Sequence, residues 1–155
     1  MRAVCTIFAF ALIACGSKGG AARLTVTPLQ LTVTADGSKS STPSAAINVT
    51  LVDPPPGGVY VGAGFTKNGI AGMNFTSSGT QGEFTVFFKD PSTVAVGTYS
   101  DTIQIGLCTD ASCSHSVAGT LVTVAITYVV TVDATATLMK ATSEFRIYKL
   151  KPAME

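Results

Sequence analysis

Thr120-Leu121-Val122-Thr123-Val124-Ala125-Ile126-Thr127-Tyr128-Val129-Val130-Thr131-Val132 is the stretch that decides the fold. Val122, Val124, Ile126, Tyr128, Val130 and Val132 share one phase of a two-residue period. Thr123, Ala125, Thr127, Val129 and Thr131 occupy the other. That alternation is the signature of a half-buried strand, because successive side chains of extended backbone point to opposite faces. Thr and Val both fit a pleated, half-buried surface.

The pattern continues upstream. Tyr99, Ile103, Ile105 and Leu107 share a phase opposite Ser100, Thr102 and Gln104, and Phe84, Val86 and Phe88 form a third inward set. Candidate strands are Leu24–Thr27, Leu29–Ala35, Ala45–Val52, Val59–Phe65, Ile70–Thr76, Glu83–Phe88, Thr98–Cys108 and Thr120–Val132. Turn chemistry separates them at Asp36-Gly37, Asp53-Pro54-Pro55-Pro56-Gly57-Gly58, Asn68-Gly69, Ser78-Gly79, Asp90-Pro91 and Gly119. No helical period persists. Seven or eight short strands over about 110 residues predict an all-β, two-sheet antiparallel sandwich.

Composition narrows the roles available. The chain has 155 residues, 46% hydrophobic and 12% charged, with a net charge of +1. Nucleic-acid binding needs clustered Lys and Arg to neutralise phosphates, so no nucleic-acid partner is expected. One histidine and no tryptophan leave little material for acid–base or metal chemistry.

The N-terminus reads as an address. Arg2 precedes an apolar run from Ala3 to Ala14. At about 12 residues it is too short for a membrane span, which needs about 20, and has the proportions of a signal-peptide core. Leu12-Ile13-Ala14-Cys15 resembles the bacterial lipobox. The resemblance implies that residues 1–14 are a signal peptide, that the bond before Cys15 is cut, and that the Cys15 thiol carries acyl chains. Residues 15–23, Gly-rich, would then be a flexible tether. Gly16, where Asp would imply retention in the inner membrane, implies a lipid anchor in the outer membrane of the cell envelope, facing either the periplasm or the surface.

A second resemblance covers residues 24–133. Leu24-Thr25-Val26-Thr27-Pro28-Leu29-Gln30-Leu31, Gly97-Thr98-Tyr99-Ser100-Asp101-Thr102-Ile103-Gln104-Ile105 and Gly119–Tyr128 resemble the bacterial Ig-like surface modules. That family implies an Ig-like sandwich serving binding, spacing or adhesion, with no catalytic residue to carry over. The Cys–Trp–Cys core of antibody domains is absent. Residues 134–155 do not fit the module. They read as a tail, a short helix or an added edge strand through Phe145, Ile147 and Leu150, mildly basic through Lys140, Arg146, Lys149 and Lys151.

One dense polar cluster remains, Cys108-Thr109-Asp110-Ala111-Ser112-Cys113-Ser114-His115-Ser116. Nucleophilic catalysis would need Ser or Cys, His115 and Asp110 to converge beside an oxyanion hole, which neighbours on a small loop rarely achieve. Zinc would need a fourth ligand at unusual spacing. Redox chemistry would want Cys-x-x-Cys at a helix start. A disulfide between Cys108 and Cys113, closing a loop after a strand, is the preferred reading. The Ig-like surface modules also carry cysteines at this spacing, which adds to it.

Asp36, Asp53, Asp90, Asp101 and Asp110 read as turn and cap residues, since no Asp-x-Asp-x-Asp run gathers them for calcium. Tyr60, Phe65, Phe75 and Phe87 read as core, although exposed they would make a carbohydrate platform. Phe87 stands apart, because Phe84, Val86 and Phe88 claim the opposite face. Asn48-Val49-Thr50 and Asn74-Phe75-Thr76 match the glycosylation sequon, which a bacterial anchor leaves unused. The sequence thus assigns no catalytic residue, cofactor or metal. It points to a non-enzymatic envelope module for adhesion, scaffolding or protein association with a protein partner; a small-ligand or carbohydrate-binding sandwich is the alternative.

Overall fold

The computed structural model, which describes residues 8–12, 21–55 and 57–132, pairs the Thr/Val ribbons into two stacked sheets. The strands are β1 (Phe8–Leu12), β2 (Arg23–Thr27), β3 (Gln30–Asp36), β4 (Ser44–Val52), β5 (Val59–Phe65), β6 (Ile70–Ser78), β7 (Gln81–Phe88), β8 (Gly97–Cys108) and β9 (Val122–Thr131). One sheet has the order β1-β5-β8-β9-β3, the other β2-β4-β7-β6. Residues 134–155 lie outside the described residues, as does the signal-peptide and tether stretch apart from Phe8–Leu12 and residues 21–23.

The eight expected strands are all present, with ends displaced by up to two residues. Two features differ from expectation. First, the sandwich is not wholly antiparallel. β3 pairs with β9 in parallel, from Gln30 opposite Ala125 to Asp36 opposite Thr131. The reason lies at Pro28, which interrupts one extended run. The chain crosses there from the β2–β4 sheet to the edge of the other sheet, beside β9. Second, Phe8–Leu12 is a strand, antiparallel to β5, with Phe8, Phe10 and Leu12 opposite Ala63, Val61 and Val59.

The interior is apolar. Ile47, Phe84, Val86, Phe88, Ile103, Ile105, Leu107, Val124 and Tyr128 are fully buried. Each contributes about 1.5–3 kcal/mol of transfer free energy before chain entropy is subtracted. Tyr128 satisfies its hydroxyl by donating to the Lys89 carbonyl at 2.9 Å. Its ring lies 5.0 Å from that of Phe88. Val132, assigned to the inward phase, is 53% exposed because β9 ends one residue earlier.

Opposite faces follow the alternation. Thr32, Thr34, Thr98, Ser100, Thr102, Gln104, Thr123 and Thr131 are exposed on the outer side of the five-stranded sheet. It is a broad face of hydroxyls and amide, without charge among these positions.

Candidate functional site

β8 ends at Cys108 and the chain doubles back through residues 109–121 before β9. The turn is built from its own polar groups. Asp110 to Cys113 is a β-turn, closed by the Cys113 N–H donating to the Asp110 carbonyl at 3.1 Å. Asp is favoured at the first position of such a turn because its side chain can cap the amides that follow. Here Asp110 Oδ1 accepts the backbone N–H groups of Ser112 and Ser114, both at 3.0 Å, and the Ser112 hydroxyl. Its Oδ2 accepts the His115 N–H at 3.0 Å and stands 3.1 Å from His115 Nδ1. The Ser112 hydroxyl and the Ser114 amide, ahead of the histidine, hold the Asp110 carboxyl well below the usual carboxylate range.

Cys108 and Cys113 form the expected disulfide, with Cα atoms 5.1 Å apart. It lies on the outer side of the five-stranded sheet, directly over Gly62 of β5. A Cβ at Gly62 would stand 3.0 Å from Cys108 Sγ and closer still to Cys113 Sγ. The glycine is therefore the seat on which the bridge rests, and Cys108 is 2% exposed. Behind the turn, the Thr120 hydroxyl donates to the Val117 carbonyl at 2.7 Å and accepts the Leu107 N–H at 3.1 Å.

The cluster thus spends its chemistry on closing a loop. Both cysteines are consumed by each other. Ser114 Oγ lies 3.2 Å from His115 Nδ1, the same ring nitrogen that faces Asp110. A nucleophile–base–acid relay requires the hydroxyl and the carboxylate on different ring nitrogens. The His115 side chain is 80% exposed, so nothing excludes water around it.

The Asp110 pattern recurs. Asp36-Gly37-Ser38, Asp90-Pro91-Ser92 and Asp110-Ala111-Ser112 share Asp-x-Ser, and in each the carboxylate accepts both the amide and the hydroxyl of the serine two residues on. Asp90 also accepts the Ser40 hydroxyl and the Ser41 N–H. The Ser40 and Ser92 hydroxyls draw its pKa from 3.8 to about 2. Asp36 is lowered in the same direction, chiefly by the Ser38 hydroxyl.

Asp101 departs from the turn role expected of it. It sits mid-strand in β8, inward, 4% exposed. Its Oδ1 accepts the Thr66 hydroxyl at 2.6 Å and the Asn68 N–H at 2.8 Å. Its Oδ2 accepts the Gly69 N–H at 2.6 Å and the Ile70 N–H at 3.2 Å. A buried carboxylate is tolerated because four donors replace its water. The sequence carried a signal: Asp101 falls in the inward phase between Tyr99 and Ile103.

The aromatic candidates do not converge. Phe65 is buried in the core, and Phe75 stacks 4.5 Å from Phe84 on the inner side of the other sheet. Tyr60 and Phe87 are half-buried on the outer sides of different sheets. An open groove of about 350 Å³ on the four-stranded sheet is lined by Asn48, Thr76, Ser77, Ser78, Gln81, Gly82 and Glu83, none of them aromatic.

Among the described residues, no helix is long and apolar enough to cross a membrane. No protein-family model matches the sequence, and no curated protein matches it. In a comparison of folds, the chain is similar to the crystal structure of AggA, the major subunit of aggregative adherence fimbriae type I from Escherichia coli. The two are 19% identical, with 71% of this chain and 94% of that chain covered, at a TM-score of 0.39.

Proposed function

We propose that this chain is a non-enzymatic, lipid-anchored Ig-like module of a bacterial cell envelope, acting in adhesion, scaffolding or protein association. The observation that carries the reading is the fate of its one reactive cluster. Cys108, Asp110, Ser112, Cys113 and His115 are bound to one another in a rigid loop at the end of the sandwich, as set out above. What remains outward is contact surface: the locked loop and the hydroxyl-rich face of the five-stranded sheet. Uncharged polar faces and sheet rims serve association without active-site chemistry. Anchoring rests on Leu12-Ile13-Ala14-Cys15. Two or more acyl chains there, at about 0.8 kcal/mol per buried CH₂, would hold the body to a membrane stably.

Intact mass of membrane-extracted protein tests the anchor. The expected result is a chain beginning at Cys15 with acyl mass added, and two hydrogens fewer for the Cys108–Cys113 bridge. Envelope fractionation and pulldown with the lipidated protein test the role. An uncut chain, or a cytosolic one with no envelope partner, would overturn it.

A further inference from the structure

We propose that Asn68–Gly69 is a modification site of this chain: a deamidation site that Asp101 holds shut in the fold, and that converts irreversibly to aspartyl or isoaspartyl in molecules where the β5–β6 connection opens. The reaction needs an asparagine whose following residue leaves its backbone nitrogen open, and glycine, without a Cβ, leaves it most open. The Gly69 nitrogen bonds to Asn68 Cγ, the bond from Cγ to Nδ2 breaks, and Nδ2 departs as ammonia carrying the Gly69 proton. Water then opens the cyclic imide, its hydroxyl going to one ring carbonyl carbon and its hydrogen to the ring nitrogen. Solvent is the only co-reactant.

The fold itself imposes this dipeptide. Gly69 is buried, and a Cβ there would stand 3.0 Å from Tyr128 Cδ1 and from Tyr99 Cβ, so no bulkier residue can take its place and shield the nitrogen. Asn68 is exposed, so water reaches its carboxamide. Asn48 and Asn74, by contrast, lie within β4 and β6 and are followed by Val49 and Phe75, whose side chains crowd the nitrogen that would attack.

What keeps the site shut is the Asp101 carboxylate. The Gly69 N–H, whose proton must be given up, donates to Asp101 Oδ2 at 2.6 Å. A carboxylate at that distance opposes formation of the nitrogen anion that attacks, because like charges repel strongly in a buried setting. The Asn68 N–H donates to Asp101 Oδ1 at 2.8 Å, so one carboxylate grips both amides flanking the asparagine. The Asn68 carboxamide is engaged as well, its Nδ2 donating to the Ser100 carbonyl at 2.7 Å. The Lys89 ammonium on the Asn68 carbonyl, 2.8 Å away, would ease loss of the Gly69 proton, but Asp101 sits on the proton itself. Reaction therefore requires the connection to open locally, which a loop can do without global unfolding. Conversion is then one-way. The carboxylate gained at position 68 has lost the Nδ2 donor and faces the Ser100 carbonyl, and an isoaspartyl link lengthens the backbone by a methylene, so Asp101 no longer meets both amides.

The full chain, disulfide intact, is incubated in mildly alkaline buffer, and the peptide carrying Asn68 is mapped for amide-to-acid conversion and for isoaspartate. The peptides carrying Asn48 and Asn74 serve as internal standards. The folded parent should convert Asn68 more slowly than the same chain in urea, by about tenfold or more. Asp101→Asn, which keeps the shape without the charge, and Asp101→Ala should each convert about tenfold or more faster than the parent, with faster hydrogen exchange at the Gly69 amide. Gly62→Ala, perturbed at the disulfide instead, should stay within about twofold of the parent, because the opening that matters is local. Should Asp101→Ala unfold, Asp101→Asn, its folding checked by a thermal melt, decides alone. Equal rates in the folded and unfolded parent, no conversion in either, an unchanged rate in Asp101→Asn, or the same acceleration in Gly62→Ala overturns the inference.

Discussion

The carboxylate of Asp101, in the middle of β8, accepts the backbone N–H of Gly69 at 2.6 Å from across the β5–β6 connection. The same connection is held from its other side by Lys89, whose ammonium donates to the carbonyls of Lys67 and Asn68 at 2.9 and 2.8 Å. Gly69 has no room for a side chain there, since a Cβ would stand 3.0 Å from the rings or stems of Tyr128 and Tyr99. One buried acid thereby fixes how the two sheets are joined.

Asp101→Ala should lower stability by roughly 2–4 kcal/mol, because it strands buried backbone donors that no water replaces. Asp101→Asn should cost less, retaining one acceptor oxygen. Denaturant midpoints of the two variants against the parent check this; equal, near-zero effects would contradict the assigned role.

Gly62→Ala drives a methyl group into the Cys108–Cys113 bridge and should destabilise by roughly 1–3 kcal/mol through overpacking. The cost should shrink when Cys108 and Cys113 are both replaced by Ser. A double-mutant cycle measures that coupling. The Ser pair by itself should cost about 2 kcal/mol, the chain-entropy value for so short a loop.

Acid should weaken the fold in a specific window. Asp90 titrates near 3.8 when unfolded and is lowered to about 2 in the fold. A depressed pKa means its contribution is complete above the unfolded value and is lost as pH falls through the folded one. Thermal midpoints are therefore expected to drop from pH 4 towards pH 2, and Asp90→Asn should flatten part of that slope. Asp36 and Asp110 act in the same direction.

Tyr128→Phe keeps the ring in its core position and removes only the hydroxyl that serves the Lys89 carbonyl. A loss of about 1 kcal/mol is expected, the net worth of one hydrogen bond. His115→Ala, by contrast, alters an exposed side chain and should stay within about 0.5 kcal/mol of the parent. Urea melts of both variants would show the difference.

The alternation along β8 and β9 made the sandwich legible, because burial on one face writes a two-residue period into the sequence. β5 was found with both ends correct, bounded as it is by a Pro-Gly run and by Asn68-Gly69. The parallel β3–β9 pairing was not legible, since the phase of a strand says which face is buried and nothing of its neighbour. Asp101 was misplaced because Asp is common in turns, although its position between Tyr99 and Ile103 put it in the inward phase. The disulfide was legible from the spacing of the two cysteines, to which the resemblance to Ig-like surface modules added. Its seat on Gly62 was not, because that contact joins residues distant in sequence. The three Asp-x-Ser turns read as acidic turns; that each carboxylate caps the amide of the serine two residues on, and is acidified by that serine's hydroxyl, is visible only in the atomic contacts.

The parallel alignment of β3 with β9 has a mechanical consequence. β3 follows the short β2, β9 is the last described strand, and the two point the same way. A pull on the start of β3 and on the end of β9 would therefore act along their common axis in opposite senses. The ladder from Gln30 to Asp36 is loaded in shear, all its bonds sharing the tension at once, where an unzipping geometry would break them singly.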